Sequence, residues 1–68
     1  MSRQLELKGR QFLILSEPNV GPAWRATVME VKQGGTQEPL GIDATADTRA
    51  AADDAAEREL RRLLKTAH

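Results

Sequence analysis

Leu40-Gly41-Ile42-Asp43-Ala44-Thr45-Ala46-Asp47-Thr48-Arg49-Ala50-Ala51-Ala52-Asp53-Asp54-Ala55-Ala56 decides the architecture, because the hydrophobic period changes inside it. Up to Ala46, apolar residues alternate with Gly41, Asp43 and Thr45, which is the pattern of a strand with one inward face. From Asp47 through Lys65 strong helix formers dominate, and neither Gly nor Pro interrupts them. Asp47 or Thr48 can supply the N-cap oxygen for the first-turn amides. The acids Asp53, Asp54 and Glu57 precede the bases Arg61, Arg62 and Lys65, an order that complements the helix dipole. At about 100° per residue, Ala52, Ala56, Leu60, Leu63, Leu64 and Ala67 form one stripe, with Asp54, Arg58, Arg61 and Lys65 opposite. The pattern predicts a helix near residues 48–66, with Leu60 and Leu63 at its packing contact. An isolated helix of this length is marginal in water, so the surface that holds it is the preceding segment.

Upstream, Phe12-Leu13-Ile14-Leu15 is an apolar run that ends in the turn formers Ser16-Glu17-Pro18-Asn19-Val20-Gly21-Pro22. Trp24, Ala26 and Val28 alternate with Arg25, Thr27 and Met29, and Gly34-Gly35-Thr36-Gln37-Glu38-Pro39 closes that second strand. The apolar phase shifts between Val28 and Val31, which calls for a bulge or for a strand whose two ends bury opposite faces. Leu5 and Leu7 extend the first strand backwards until Gly9 interrupts. Gly9 is either a bulge in one long strand, the favoured reading, or the first residue of a Gly9-Arg10 hairpin turn. Strands are thus expected near 4–16, 23–33 and 40–46. The fold class is α+β: a small antiparallel sheet, three-stranded or with the extra hairpin four-stranded, carrying one C-terminal helix on one face.

The 68 residues are expected to form a single domain, 1–68, near the lower size limit for a core without disulfide or metal. No cysteine is present, which excludes a thiol nucleophile and a thiolate metal site. No apolar run reaches the ~20 residues of a membrane span and no signal-peptide core opens the chain, so a cytoplasmic protein with no membrane contact is expected. Ten basic and ten acidic side chains cancel, which argues against a dedicated nucleic-acid binder. Arg58, Arg61, Arg62 and Lys65 nevertheless concentrate positive charge late in the helix, and they are the residues that would carry any weak, electrostatic nucleic-acid contact.

Nothing in the chain assembles a catalytic set. His68 is the single histidine and stands at the chain end, where fraying works against a positioned acid, base or metal ligand. Asp53 and Asp54 are consecutive on a helix and point about 100° apart, so they do not converge on one proton or metal. Gly34-Gly35-Thr36 lacks the lysine and helix onset of a phosphate-binding loop. Trp24 and Phe12 are single aromatics of their kind and make no stacking platform. No catalytic residue, cofactor, metal or small-molecule substrate is implied.

Three strands, the junction Gly41-Ile42-Asp43-Ala44-Thr45-Ala46-Asp47-Thr48 and the following Ala50-Ala51-Ala52-Asp53-Asp54-Ala55 resemble the HicB-type antitoxin domain, itself similar to part of the double-stranded-RNA-binding fold. The resemblance runs from residues 12–15 through 24–31 to the helix start. It implies the β-β-β-α topology and, for function, an antitoxin that binds a ribonuclease toxin. It transfers no functional residue. A short bacterial protein sharing this topology answers the same description.

The residues themselves point first to a protein-interaction module, because one helix cannot cover both faces and both edges of a sheet. Trp24, Met29 and Val31, with Leu13, are the candidate contact residues of the uncovered face or an edge. Arg25, Thr27, Glu30 and Lys32 are the side chains expected to solvate it otherwise. The expected partner is a protein or a second copy of the chain; a HicB-like antitoxin and a weak RNA-binding module are the alternatives.

Overall fold

Lys8 and Gly9 both take positive φ, 54° and 74°, between the paired residues Leu7 and Arg10. Two consecutive positive φ values are the signature of the tight hairpin turn whose twist matches its strands, and glycine at the second position meets it without strain. The expected long first strand is therefore two strands. The turn lies one residue earlier than Gly9-Arg10.

The computed structural model describes residues 2–66, so the stripe position Ala67 and the terminal His68 lie outside the described residues. Strands β1 (Ser2–Leu7), β2 (Arg10–Pro18), β3 (Trp24–Val31) and β4 (Gln37–Ala46) form one antiparallel sheet in the order β1-β2-β3-β4, and helix α1 (Arg49–Thr66) follows. The molecule is an α+β meander with a C-terminal helix across one face, packed against β2, β3 and β4. A short 3-10 turn at Gln33–Gly35 connects β3 to β4.

Alternation assigns every strand residue to a face. Phe12 and Ile14 pair with Glu30 and Val28, and Ala26 with Ala44, so even-numbered residues of β2, β3 and β4 look toward α1. On β1 the odd residues Leu5 and Leu7 do so. The core is Phe12, Ile14, Ala26 and Val28 from the sheet and Ala52, Ala56, Leu60 and Leu64 from the helix. Strand β3 alternates without interruption, and the irregularity expected near Val28 resides in its neighbour. Pairing runs Thr27 to Asp43 but Met29 to Pro39, so β4 spends two extra residues there, with Gly41 at φ 76°.

The helix contact follows the ridge Ala52-Ala56-Leu60-Leu64. Leu63, expected at the contact, is 42% exposed, whereas Leu60 is fully buried. An i,i+4 ridge advances about 40° around the helix axis per step, so by the last turn the contact has moved past Leu63 onto Leu64. Thr48 Oγ1 accepts the Ala51 amide at 3.1 Å and caps the helix start. At the other end Lys8 Nζ, from the hairpin turn, donates to the Leu64 carbonyl at 3.1 Å, a cation placed against the negative end of the dipole.

Candidate interaction surface

The face of the sheet turned away from α1 carries Gln4 and Glu6 of β1, Gln11, Leu13, Leu15 and Glu17 of β2, Arg25, Thr27, Met29 and Val31 of β3, and Pro39, Asp43 and Thr45 of β4. Strand pairing arranges the two central strands as a ladder of facing residues: Gln11 beside Val31, Leu13 beside Met29, Leu15 beside Thr27, Glu17 beside Arg25. Pro39 extends the row of Leu13 and Met29, and Asp43 the row of Leu15 and Thr27. Leu13, Met29 and Val31 are half-buried by their neighbours alone, and Leu15 is 38% exposed. The centre of this face is apolar and uncharged; its charges sit at the perimeter.

The main perimeter charge is a built pair. Arg25 Nε lies 2.9 Å from both Asp43 carboxylate oxygens and its terminal nitrogen 2.6 Å from one of them. The hydrogen bonds to Asp43 raise the Arg25 pKa above its ordinary value. A shallow depression of about 320 Å³ lies along this row, between Arg25, Met29, Pro39 and Asp43. It is open to solvent and offers no enclosed site for a small ligand.

The edges are guarded. On β4, Pro39 removes one ladder donor and the Gly41 irregularity bends the strand, while β1 is short and carries Arg3, Glu6 and the adjoining Lys8. Proline, bulges, charges and short strands are the devices that discourage edge pairing. The open face carries none of them at its centre.

Of the residues singled out from sequence, Met29 and Val31 lie on the open face and Trp24 does not. Trp24 occupies an even position of β3, beside Ala46, and packs against the core from the helix side. The Arg49 guanidinium sits over its ring at 5.9 Å while Arg49 Nε donates to Ser16 Oγ at 3.2 Å, which ties the start of α1 to the sheet. Glu30, expected among solvating residues, is likewise on the helix side and 6% exposed. Arg10 grips its carboxylate with two hydrogen bonds of 2.8 and 2.7 Å, and Lys32 approaches at 3.5 Å. Chiefly because of the Arg10 hydrogen bonds, the Glu30 pKa falls to about 2. Period-2 alternation from Ala26 through Val28 places Glu30 inward, and that signal was available in the sequence.

Of the four late-helix bases Arg58, Arg61, Arg62 and Lys65, two are paired with acids of the same helix. Arg61 pairs with Glu57 at 2.9 Å and Arg62 with Glu59, while Arg3 of β1 bridges to Asp54 and Glu57 at 3.0 and 3.1 Å. Hydrogen bonds from Arg61, then Arg3, hold the Glu57 carboxyl below its ordinary pKa. Among the described residues, Arg58 and Lys65 have no acid partner. No group of three or more His, Cys, Asp or Glu among the described residues is placed to hold a metal ion, and no described helix is long and apolar enough to cross a membrane.

The fold is thus an open-faced sheet backed by a single helix. Comparison of the chain with protein-family models, curated proteins and solved structures found no match in any of the three. The HicB-type resemblance is neither extended nor removed by them.

Proposed function

We propose that this protein acts by contact, as a cytoplasmic protein-interaction module whose working surface is the sheet face opposite α1. One observation carries the reading: the centre of that face, Leu13 with Met29 and the adjoining Leu15, is apolar and uncovered, whereas both sheet edges are blunted. Apolar surface placed inside a polar rim is the usual anatomy of a protein contact. On the opposite surface, Arg61 and Arg62 are already paired with Glu57 and Glu59, which leaves little free charge to compete for that role.

Affinity capture tests the proposal, using the tagged wild-type chain and a Met29→Glu variant in lysate of the source cells, with circular dichroism confirming that the variant is folded. Wild type should retain specific protein that Met29→Glu loses. Equal retention by the two, or retention of nothing specific by wild type, overturns the proposal.

A further inference from the structure

We infer that the occupant of the open face is a second copy of this chain, packed sheet to sheet about a two-fold axis that runs parallel to the strands between β2 and β3. The inference rests on the reading of that face as the contact surface and adds the partner.

Two sheets packed face to face keep their strands within about 30° of each other, with side chains of the inner faces interdigitating. A two-fold axis lying in such an interface has two simple orientations. If it runs parallel to the strands, β2 of one copy lies over β3 of the other and each row meets itself. Leu13 then faces Met29 of the second copy, Leu15 faces Thr27, Gln11 faces Val31, and Glu17 faces Arg25, each contact occurring twice. At the rim, Glu6 faces Gln37 and Gln4 faces Pro39. Apolar meets apolar at the centre, opposite charges meet at one end, and no like charges are opposed.

With the axis across the strands the rows are reversed. Arg25 then falls on Val31, Glu17 on Gln11, and Asp43 on Pro39, so Glu17 loses water without gaining a partner and the Arg25–Asp43 pair is buried against apolar side chains with no charge across the contact. The charges of the face meet opposite charges across the contact in the first arrangement only. Arg25 remains anchored by Asp43 in that arrangement, so the facing Glu17 meets a guanidinium already fixed in orientation.

Size sets the strength. Four strands at about 4.8 Å spacing and about nine residues at about 3.3 Å rise give a face on the order of 550 Å² per copy. Stable complexes bury about 800 Å² per partner, so this contact belongs at the weak, concentration-dependent end. A dissociation constant between roughly 1 µM and 1 mM is expected.

Sedimentation equilibrium of the purified full chain across that concentration range is the test, run beside Met29→Glu and Glu17→Arg. Glu17 is exposed and its cross-strand neighbour Arg25 stays paired with Asp43, so the replacement should leave the fold intact, which circular dichroism checks. In the dimer the substitution sets a guanidinium at position 17 against Arg25 twice and should weaken association roughly tenfold or more. Wild type should dimerise, Met29→Glu should remain monomeric, and raising salt should weaken the wild-type dimer and strengthen Glu17→Arg. A wild-type chain that is monomeric at the highest concentration overturns the inference, as does a dimer unaffected by both substitutions. Failure here is distinguishable from failure of the interaction-module reading, which falls only if lysate capture by wild type and Met29→Glu is the same or empty.

Discussion

Leu60→Ala should remove most of the stability of this fold, and Leu63→Ala little of it. Leu60 is fully buried on the ridge that meets the sheet, and truncation deletes three carbons there. At about 0.8 kcal/mol per buried methylene-sized group, the transfer loss is about 2.4 kcal/mol. The cavity adds to it, since the neighbouring ridge residue Ala56 is already small and cannot fill the space. A residual void of roughly 50 Å³ at about 24 cal/mol per Å³ contributes about 1.2 kcal/mol, for a total near 3.6 kcal/mol. A chain of 68 residues has roughly 3–10 kcal/mol of stability in all, so the variant should be largely unfolded or melt tens of degrees lower. Leu63 is 42% exposed and leaves no closed void, so its truncation should cost about 1 kcal/mol or less. Urea titration followed by Trp24 fluorescence reads both, because the single tryptophan packs against the core beside the start of α1. Leu60→Val, with an expected loss of about 1 kcal/mol, keeps the comparison measurable if Leu60→Ala does not fold. Equal midpoint shifts for the alanine variants at 60 and 63 would refute the ridge assignment.

Acid stability should depend on Glu30. Its folded pKa is about 2, below the ordinary value of 4.5, so it stabilises the fold above about pH 4.5 and that contribution disappears as the pH falls toward 2. Melts of Glu30→Gln should show a flatter acid limb in that window, and a limb as steep as wild type's would contradict the pairing of Arg10 with Glu30. Replacing Gly41, at φ 76° with open space around it, by alanine should cost about 1–2 kcal/mol through backbone strain alone; an unchanged melting temperature would mean that β4 pairs without its irregularity. Thr48→Ala should cost about 1 kcal/mol through loss of the helix cap, with Thr48→Asp largely restoring it in the same melts. Binding to nucleic acid should be weak and without sequence preference, its log–log salt slope no steeper than about −2, because of the four late-helix bases Arg58, Arg61, Arg62 and Lys65 only Arg58 and Lys65 lack an acid partner among the described residues. A tight complex that survives physiological salt would reverse the ranking of functions.

Local chemistry determined much of this protein directly from sequence. The α1 boundary near Thr48, a turn within the run Ser16 to Pro22 (of which β2 keeps Ser16, Glu17 and Pro18), the glycine break before β4 and the surface of Leu13, Met29 and Val31 all follow from periodicity, capping and turn residues, which act over a few neighbours. Tertiary structure decided what depends on distance and direction. Lys8 taking positive φ before Gly9 split the first strand, a conformation that lysine's own preferences do not announce. The drift of the helix ridge put Leu64 rather than Leu63 on the sheet, because the crossing of helix over sheet is set by packing and not by the helix alone. Trp24 shares the face of Ala26 and Val28, as its phase in the alternation implies, and the fold added Arg49, distant in sequence, over its ring. Alternation already pointed Glu30 inward, but its partner came from the fold alone: burying a carboxylate needs a partner in space, and the pairing of β2 with β3 brings Arg10 to it from twenty residues away in the chain.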